Sequence, residues 1–404
     1  MQKEFIKKIK NKITLNVTDG KIDSFREQEE ETNTVRLYEN GIIGVAGCLG
    51  QADEELLTSK AIEALSLNIK YPCKLEGKLE KEILNEKEII SVSNLIPTMQ
   101  DFLHRLNVMC PNFAFSNKIS LIHNKSEYTN SLGRHLISSV QSIDIQLLSQ
   151  NRGSGNLFDT TFSYDASNFN PEELLDNFKK EYDAFYVSSD IEPGEYPVVI
   201  DATDLFGSFL QQFVAELYVA GASLLSGKLC EKAFSEKLTL KNDMNPTTNP
   251  SACFFDDEGC VAPDLRPTLI EKGTLTGLLT TKKSSDNLKI PNLGTAASTY
   301  DGVLCLGFNK FYVEPTVSSL KELVPGKAIY IVITSGGDVT PDGHFASPVQ
   351  MSYLMENGEI IGRLPEIHVS GNFYDLFGKN YIGSVINNSN PSSTLSVLQM
   401  TIKK

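Results

Sequence analysis

Apolar residues in this chain fall mostly into short alternating runs separated by turn pairs, with a few stretches at helical spacing. At the start, Phe5, Ile6, Ile9 and Ile13 share one helical face among lysines, which predicts a surface helix. Arg36 to Ala46 reads as a hairpin, because Asn40-Gly41 supplies the positive φ angles of a tight type I′ turn. Asp53 is placed to cap a helix over 54–66, with Leu56, Leu57, Ala61, Ala64 and Leu65 at helical spacing. Pro97 suits the first turn of another helix, with Phe102, Leu103, Leu106 and Met109 inward. Ile119 to Ile122 predicts a strand that passes through a turn at Asn130–Gly133 into a second strand over 137–148.

The polar stretch 188–197, broken by Pro193, Gly194 and Pro197, is the best linker candidate. Beyond it, Val198 to Asp201 predicts a short strand, 204–226 one long helix, 241–251 a loop and 328–334 a strand. The turn grammar of Glu39-Asn40-Gly41 returns at Glu356-Asn357-Gly358 and, more loosely, at Glu271-Lys272-Gly273. No regular alternation of strands and crossover helices is present, which disfavours a doubly wound fold. The pattern predicts a sheet-rich α+β protein of two domains, 1–190 and 198–404.

Length and composition change this picture little: 404 residues, 41% hydrophobic and 22% charged, suit an ordinary globular protein. The net charge of -14 argues against a direct nucleic-acid partner, since phosphate binding needs a basic face. No run of about 18 apolar residues occurs, so no membrane helix is expected. The charged N-terminus does not read as a signal peptide. Seven scattered cysteines without a CxxC pair predict buried reduced thiols in a cytoplasmic protein.

Candidate chemistry is sparse. The five histidines, at 104, 123, 135, 344 and 368, lie more than five residues apart from one another. His344 follows Asp338 and Asp342 in a glycine-rich stretch; a metal-binding loop and a polar turn share that pattern, and the turn is the simpler reading. His368 reads as a packed or hydrogen-bonded strand residue. Asp256, Asp257 and Glu258 repel one another unless solvated or paired. They suit a cation or a peptide amino terminus, or else an exposed turn fixed by Gly259. Cys253 and Cys260 flank them at a spacing poor for zinc.

Three stretches, taken in order, resemble the TldD/PmbA family, also called modulator of DNA gyrase. They are Phe254-Phe255-Asp256-Asp257-Glu258-Gly259, Ser347 to Gly358, and Ile367-His368-Val369-Ser370-Gly371-Asn372. Active members of that family are metallopeptidases carrying HExxxH on a helix and a cysteine ligand near the C-terminus. Here the matching segment, Asp204 to Leu217, has no histidine, and no cysteine follows Cys305. The chain is therefore most similar to the PmbA (TldE) branch. That branch implies no catalytic or metal-ligating residue and no cofactor in this chain, with zinc held by a TldD-like partner subunit. The pair trims small unstructured peptides inside bacterial cells. The resemblance also implies a partner-facing and peptide-facing C-terminal half, with Asp256, Asp257, Glu258, His344 and Asn372 as candidate contacts. Two alternatives stay open: a stand-alone homodimeric peptide-binding or regulatory protein, and a peptidase with an unrecognised site, His344 being its candidate.

Overall fold

The first seventeen residues after Met1 form a strand, not the helix that their spacing predicts. In the computed structural model, which describes residues 1–85 and 87–404, β1 (Gln2–Thr18) pairs antiparallel on both sides. Its neighbours are β2 (Lys21–Glu39) and, further along, β6 (Phe113–Asn130). The helical reading fails because both faces of this sheet are covered. Phe5 packs on one side with Val35, Leu37 and Leu57, while Ile6 packs on the other with Phe254 and Phe255. A strand buried on both faces loses the period-two alternation that marks it.

The remaining strands of this sheet are β3 (Ile42–Leu49), β4 (Ile69–Lys70), β5 (Leu79–Asn85), β7 (Arg134–Asn151) and β8 (Thr160–Ala166). Their order is β4-β3-β2-β1-β6-β7-β5, and β8 pairs with the second half of β7. The predicted β2–β3 hairpin turns at Asn40 (φ 50°) and Gly41 (φ 77°). Helix α1 (Glu54–Ala64) starts at Asp53, whose carboxylate accepts from the N–H groups of Glu55 and Leu56. Helix α2 (Val92–Met109) starts earlier than predicted, so Pro97 sits beyond the first turn and forfeits a backbone bond. The buried face of Leu95, Met99, Phe102, Leu103 and Leu106 holds the helix together regardless. Helix α3 (Pro171–Phe185) packs beside it in the same core.

The C-terminal half carries a second large sheet of β9 (Gly194–Asp201), β16 (Lys327–Thr334), β17 (Asp338–Val339), β18 (His344–Glu356), β19 (Glu359–Arg363), β20 (Ile367–Asn372), β21 (Tyr381–Ile386) and β22 (Thr394–Lys403). Strand β18 pairs with β20 through its first half and with β16 through its second. The order β16-β9-β22-β20-β18 thus closes into a ring. Short strands β10 to β15 (Leu240–Asn242, Thr268–Glu271, Thr274–Leu275, Ala296–Ala297, Cys305–Leu306, Phe311–Val313) form two small sheets beside it. Both further hairpins of the repeated turn grammar are present, at Lys272-Gly273 and Asn357-Gly358.

The long helix predicted over 204–226 is absent. The segment is α4 (Ala202–Gly207), a single 3-10 turn at Leu210–Phe213 and α5 (Ala215–Val219), followed by turns. Tertiary packing overrides the helical pattern. Phe206 stacks on Phe377 with centroids 4.6 Å apart, Phe209 meets Phe345, Phe373 and Phe377, and Phe213 meets Phe311. The backbone leaves the helix to bond elsewhere: Ala215 N–H donates to Leu279 O, and Leu279 N–H to Phe213 O. Among the described residues no helix is long and apolar enough to cross a membrane. The architecture is sheet-rich α+β, as the sequence predicts.

Candidate functional site

The acidic turn is built from its aromatic neighbours. Phe254 and Phe255, edge to face at 4.9 Å, join Ile6, Tyr128 and Leu136 in one core and press the turn against the N-terminal sheet. Gly259 has φ 70°, and a Cβ there would lie 2.4 Å from the Tyr128 ring, so only glycine fits. The exposed-turn alternative fails: Asp256 is 5% exposed and Glu258 fully buried.

Every carboxylate in the turn is engaged within the chain. Asp256 Oδ1 accepts from the N–H groups of Glu258 (3.0 Å) and Cys260 (2.8 Å), and Oδ2 from that of Ala296 (3.0 Å). Glu258 accepts from the Tyr71 hydroxyl (2.6 Å) and the Lys282 N–H (2.8 Å) at the start of α6 (Lys282–Leu288). The buried Lys282 ammonium donates to Glu258 O at 3.1 Å. Asp257 takes Lys8 Nζ on one oxygen (2.7 Å) and Ser298 on the other. Its carbonyl receives Arg36 Nη1 (2.6 Å). Arg36 in turn faces Glu4 at 3.6 Å, and Glu4 accepts from Tyr38 (2.9 Å) and Tyr128 (2.7 Å). These contacts join residues near the N-terminus to the C-terminal half through a buried polar latch.

Burial sets the electrostatics of the latch. It pushes the carboxyls of Asp256 and Glu258 up, and the neighbouring Asp256 charge pushes Glu258 further. Burial likewise raises the Tyr71 and Tyr128 phenols, each beside a carboxylate it donates to. The Cys260 thiol is held well above its ordinary range by burial, then by Asp256.

Asp256, Glu258 and Cys260 place their donor atoms within 4.8 Å of one another, so a cation is the obvious test. The chemistry does not fit one. The carboxylate oxygens already hold backbone and phenolic donors, the thiol resists ionisation, and a lysine ammonium occupies the same pocket. Zinc of the HExxxH kind fits no better. Segment 202–219 is broken into short turns, carries no histidine, and leaves Glu216 exposed.

The remaining candidates lie elsewhere. His344 and Asn372 face each other across β18 and β20. The imidazole is exposed and stands 3.8 Å from Asp342. Asn372 caps α7 (Phe373–Phe377), accepting from Tyr374 N–H (3.1 Å), and donates to Asp342 O (3.1 Å). His368, expected to be packed or hydrogen-bonded, is exposed on β20. The cysteines are free, but Cys230 and Cys305 are exposed, against the expectation of buried thiols. Sequence reasoning missed Glu4, Arg36, Tyr71 and Lys282. The one available signal was Arg36, a charge inside the apolar run Val35-Arg36-Leu37-Tyr38.

Comparison with known proteins agrees with this architecture. Residues 193–401 match the family described as PmbA/TldA metallopeptidase C-terminal domain. The zinc metalloprotease TldD homolog of Saccharolobus solfataricus is 26% identical over 309 residues, 73% of this chain and 68% of that protein. A metalloprotease of Archaeoglobus fulgidus is 23% identical over 94% of this chain and 91% of its own. The crystal structure of TldE from Thermococcus kodakarensis superposes with a TM-score of 0.82 at 18% identity, covering 100% of this chain and 97% of that one. The aromatic-anchored acidic turn and the ring of strands thus sit within a match that spans 193–401, and the chain belongs to the TldD/PmbA family of metallopeptidase-related proteins.

Proposed function

We propose that this chain is the non-catalytic, TldE-like subunit of a TldD-type metallopeptidase that acts on small unstructured peptides in the cytoplasm. One observation carries the reading. The segment where active relatives hold HExxxH has no histidine here and is no continuous helix, and no cysteine follows Cys305. Without imidazole or thiolate ligands around an open position, hydrolysis needs a zinc-bearing partner. This chain's contribution is then a wall. Among the described residues strand β17 pairs on one side only, and such an edge binds an extended peptide by strand addition. We also propose that 1–190 and 198–404 form two units, the second facing the partner.

The test is affinity capture of the tagged chain from its host, with bound proteins identified by mass spectrometry and zinc measured in each fraction. Recovery of a relative carrying HExxxH, with zinc only in the complex, supports the proposal. Recovery of this chain alone overturns it in favour of a homodimer. His344→Ala separates the remaining alternative: peptidase activity of the purified chain that this substitution abolishes would make His344 the unrecognised site.

A further inference from the structure

Helix α3, the β18–β19 hairpin and the β21–β22 hairpin enclose a cavity of about 520 Å³. Its floor is apolar, made by the buried Met355, Val385 and Leu395. Three of the chain's exposed large hydrophobic residues, Val187 (50%), Ile361 (38%) and Ile386 (38%), stand around its mouth. Its polar lining includes Lys180, Glu181 and Asp183 from α3, Tyr330 from β16 and Glu359 from β19, three carboxylates against one ammonium.

The Glu181 carboxyl is the unusual element. Burial alone sets its acidity, pushing it up to about 7, so no cation among the described residues compensates it. Lys180, the next residue of α3, also lines the cavity but forms no ion pair with Glu181 among the described residues. Lys179 is spent on Asp183, at 2.6 Å. Arg363 is stacked on the Phe185 ring at 4.3 Å. The Tyr330 phenol, raised by burial and then by Glu181, forms no side-chain hydrogen bond among the described residues. A carboxylate and a hydroxyl without side-chain partners among the described residues, above an apolar floor and beside Val187, Ile361 and Ile386 in a net-acidic lining, call for a ligand with a cationic tip, an aliphatic stem and apolar flanks.

We propose that this cavity takes a lysine side chain presented by an extended polypeptide, its ammonium on Glu181 and Tyr330, its stem along Met355, and its apolar neighbours on Val187, Ile361 and Ile386. The rim decides for a polypeptide over a free amine, because a lone alkyl amine would leave those three residues uncovered. The chain's net charge of -14 favours a cationic segment. This inference does not depend on a catalytic partner.

The probe is a blocked pentapeptide, Gly-Leu-Lys-Leu-Gly, against the same peptide with norleucine for lysine, titrated calorimetrically into the full chain. Lysine should bind about ten-fold tighter than norleucine, the worth of one charge-assisted contact. Glu181→Gln, which keeps side-chain shape, should erase that preference, and Ile361→Ser should weaken both peptides while leaving the preference intact. Equal binding of the two peptides by the wild-type chain, or no binding of either, overturns the proposal. Butylamine binding as tightly as the lysine peptide overturns the polypeptide source.

Discussion

The buried latch makes a quantitative claim about Glu258. Its carboxylate is 0% exposed and satisfies the Tyr71 hydroxyl at 2.6 Å and the Lys282 N–H at 2.8 Å, next to an ammonium whose side chain is 8% exposed. Glu258→Ala strands both donors, each worth about 1–3 kcal/mol when buried and unpaired. It also opens a void, although the Lys282 ammonium keeps the residue-258 carbonyl and Glu76 at 3.5 Å. The two stranded donors and the void together should cost about 3–5 kcal/mol, a large share of the roughly 5–15 kcal/mol that holds a typical protein folded. Glu258→Gln keeps the shape and one acceptor, so it should cost about 1–2 kcal/mol. With no tryptophan in the chain, urea unfolding is best followed by circular dichroism. The order Ala worse than Gln, at unchanged urea slope, is the expected result. A loss below about 1 kcal/mol for Glu258→Ala would refute the latch. It would return Glu258 to the class of ligand-facing residues, whose removal tends to leave stability unchanged or raise it.

Glu181 predicts a pH effect of definite sign. Its folded pKa, about 7, lies above its ordinary value of 4.5, so the folded state holds the proton more tightly. That contribution is fully present below pH 4.5 and is lost as pH rises through about 7. Wild-type stability should fall by about 1–3 kcal/mol across this window, and Glu181→Gln should flatten the slope; denaturant midpoints measured at several pH values decide it. Gly259→Ala combines a strained φ of 70° with a Cβ 2.4 Å from the Tyr128 ring, and should cost about 3 kcal/mol in the same assay, whereas Gly41→Ala, with open space around it, should cost nearer 1. Iodoacetamide should label the exposed Cys230 and Cys305 first, while Cys110 and Cys253, whose thiols burial pushes up to about 12 and about 11, should stay unmodified until the chain unfolds; peptide mapping gives the order.

Local features were legible where local chemistry decides. The Asn40-Gly41 and Asn357-Gly358 turns and the Asp53 cap each follow from residues that touch one another along the chain. Two longer readings failed because distant packing decides them. The apolar residues of β1 serve three different cores, so their spacing imitates a helix. The Asp19-Gly20 pair, both at positive φ, was the overlooked sign of a hairpin between β1 and β2. Segment 202–226 has helical spacing, yet Phe206, Phe209 and Phe213 are drawn into an aromatic cluster with Phe311, Phe345 and Phe377. None of those partners is close in sequence.

The acidic turn was visible as a feature while its meaning was not. A run such as Asp256-Asp257-Glu258 looks the same in sequence whether it faces a ligand or faces inward, because its partners decide between them. Here the partners come from Lys8, Arg36, Tyr71, Lys282 and Ala296, spread along almost three hundred positions. Each is unremarkable alone; together they turn three repelling charges into a set of paired groups. The same reasoning separates the latch from the α3 cavity. In the latch every carboxylate oxygen has a donor within the chain, so its demand is met by folding. At Glu181 burial raises the carboxyl and no side chain among the described residues answers it, so its demand is left for something outside. A family resemblance that rests partly on the acidic turn therefore reports how the two halves are joined, and the residue with unmet chemistry is one that no motif marked.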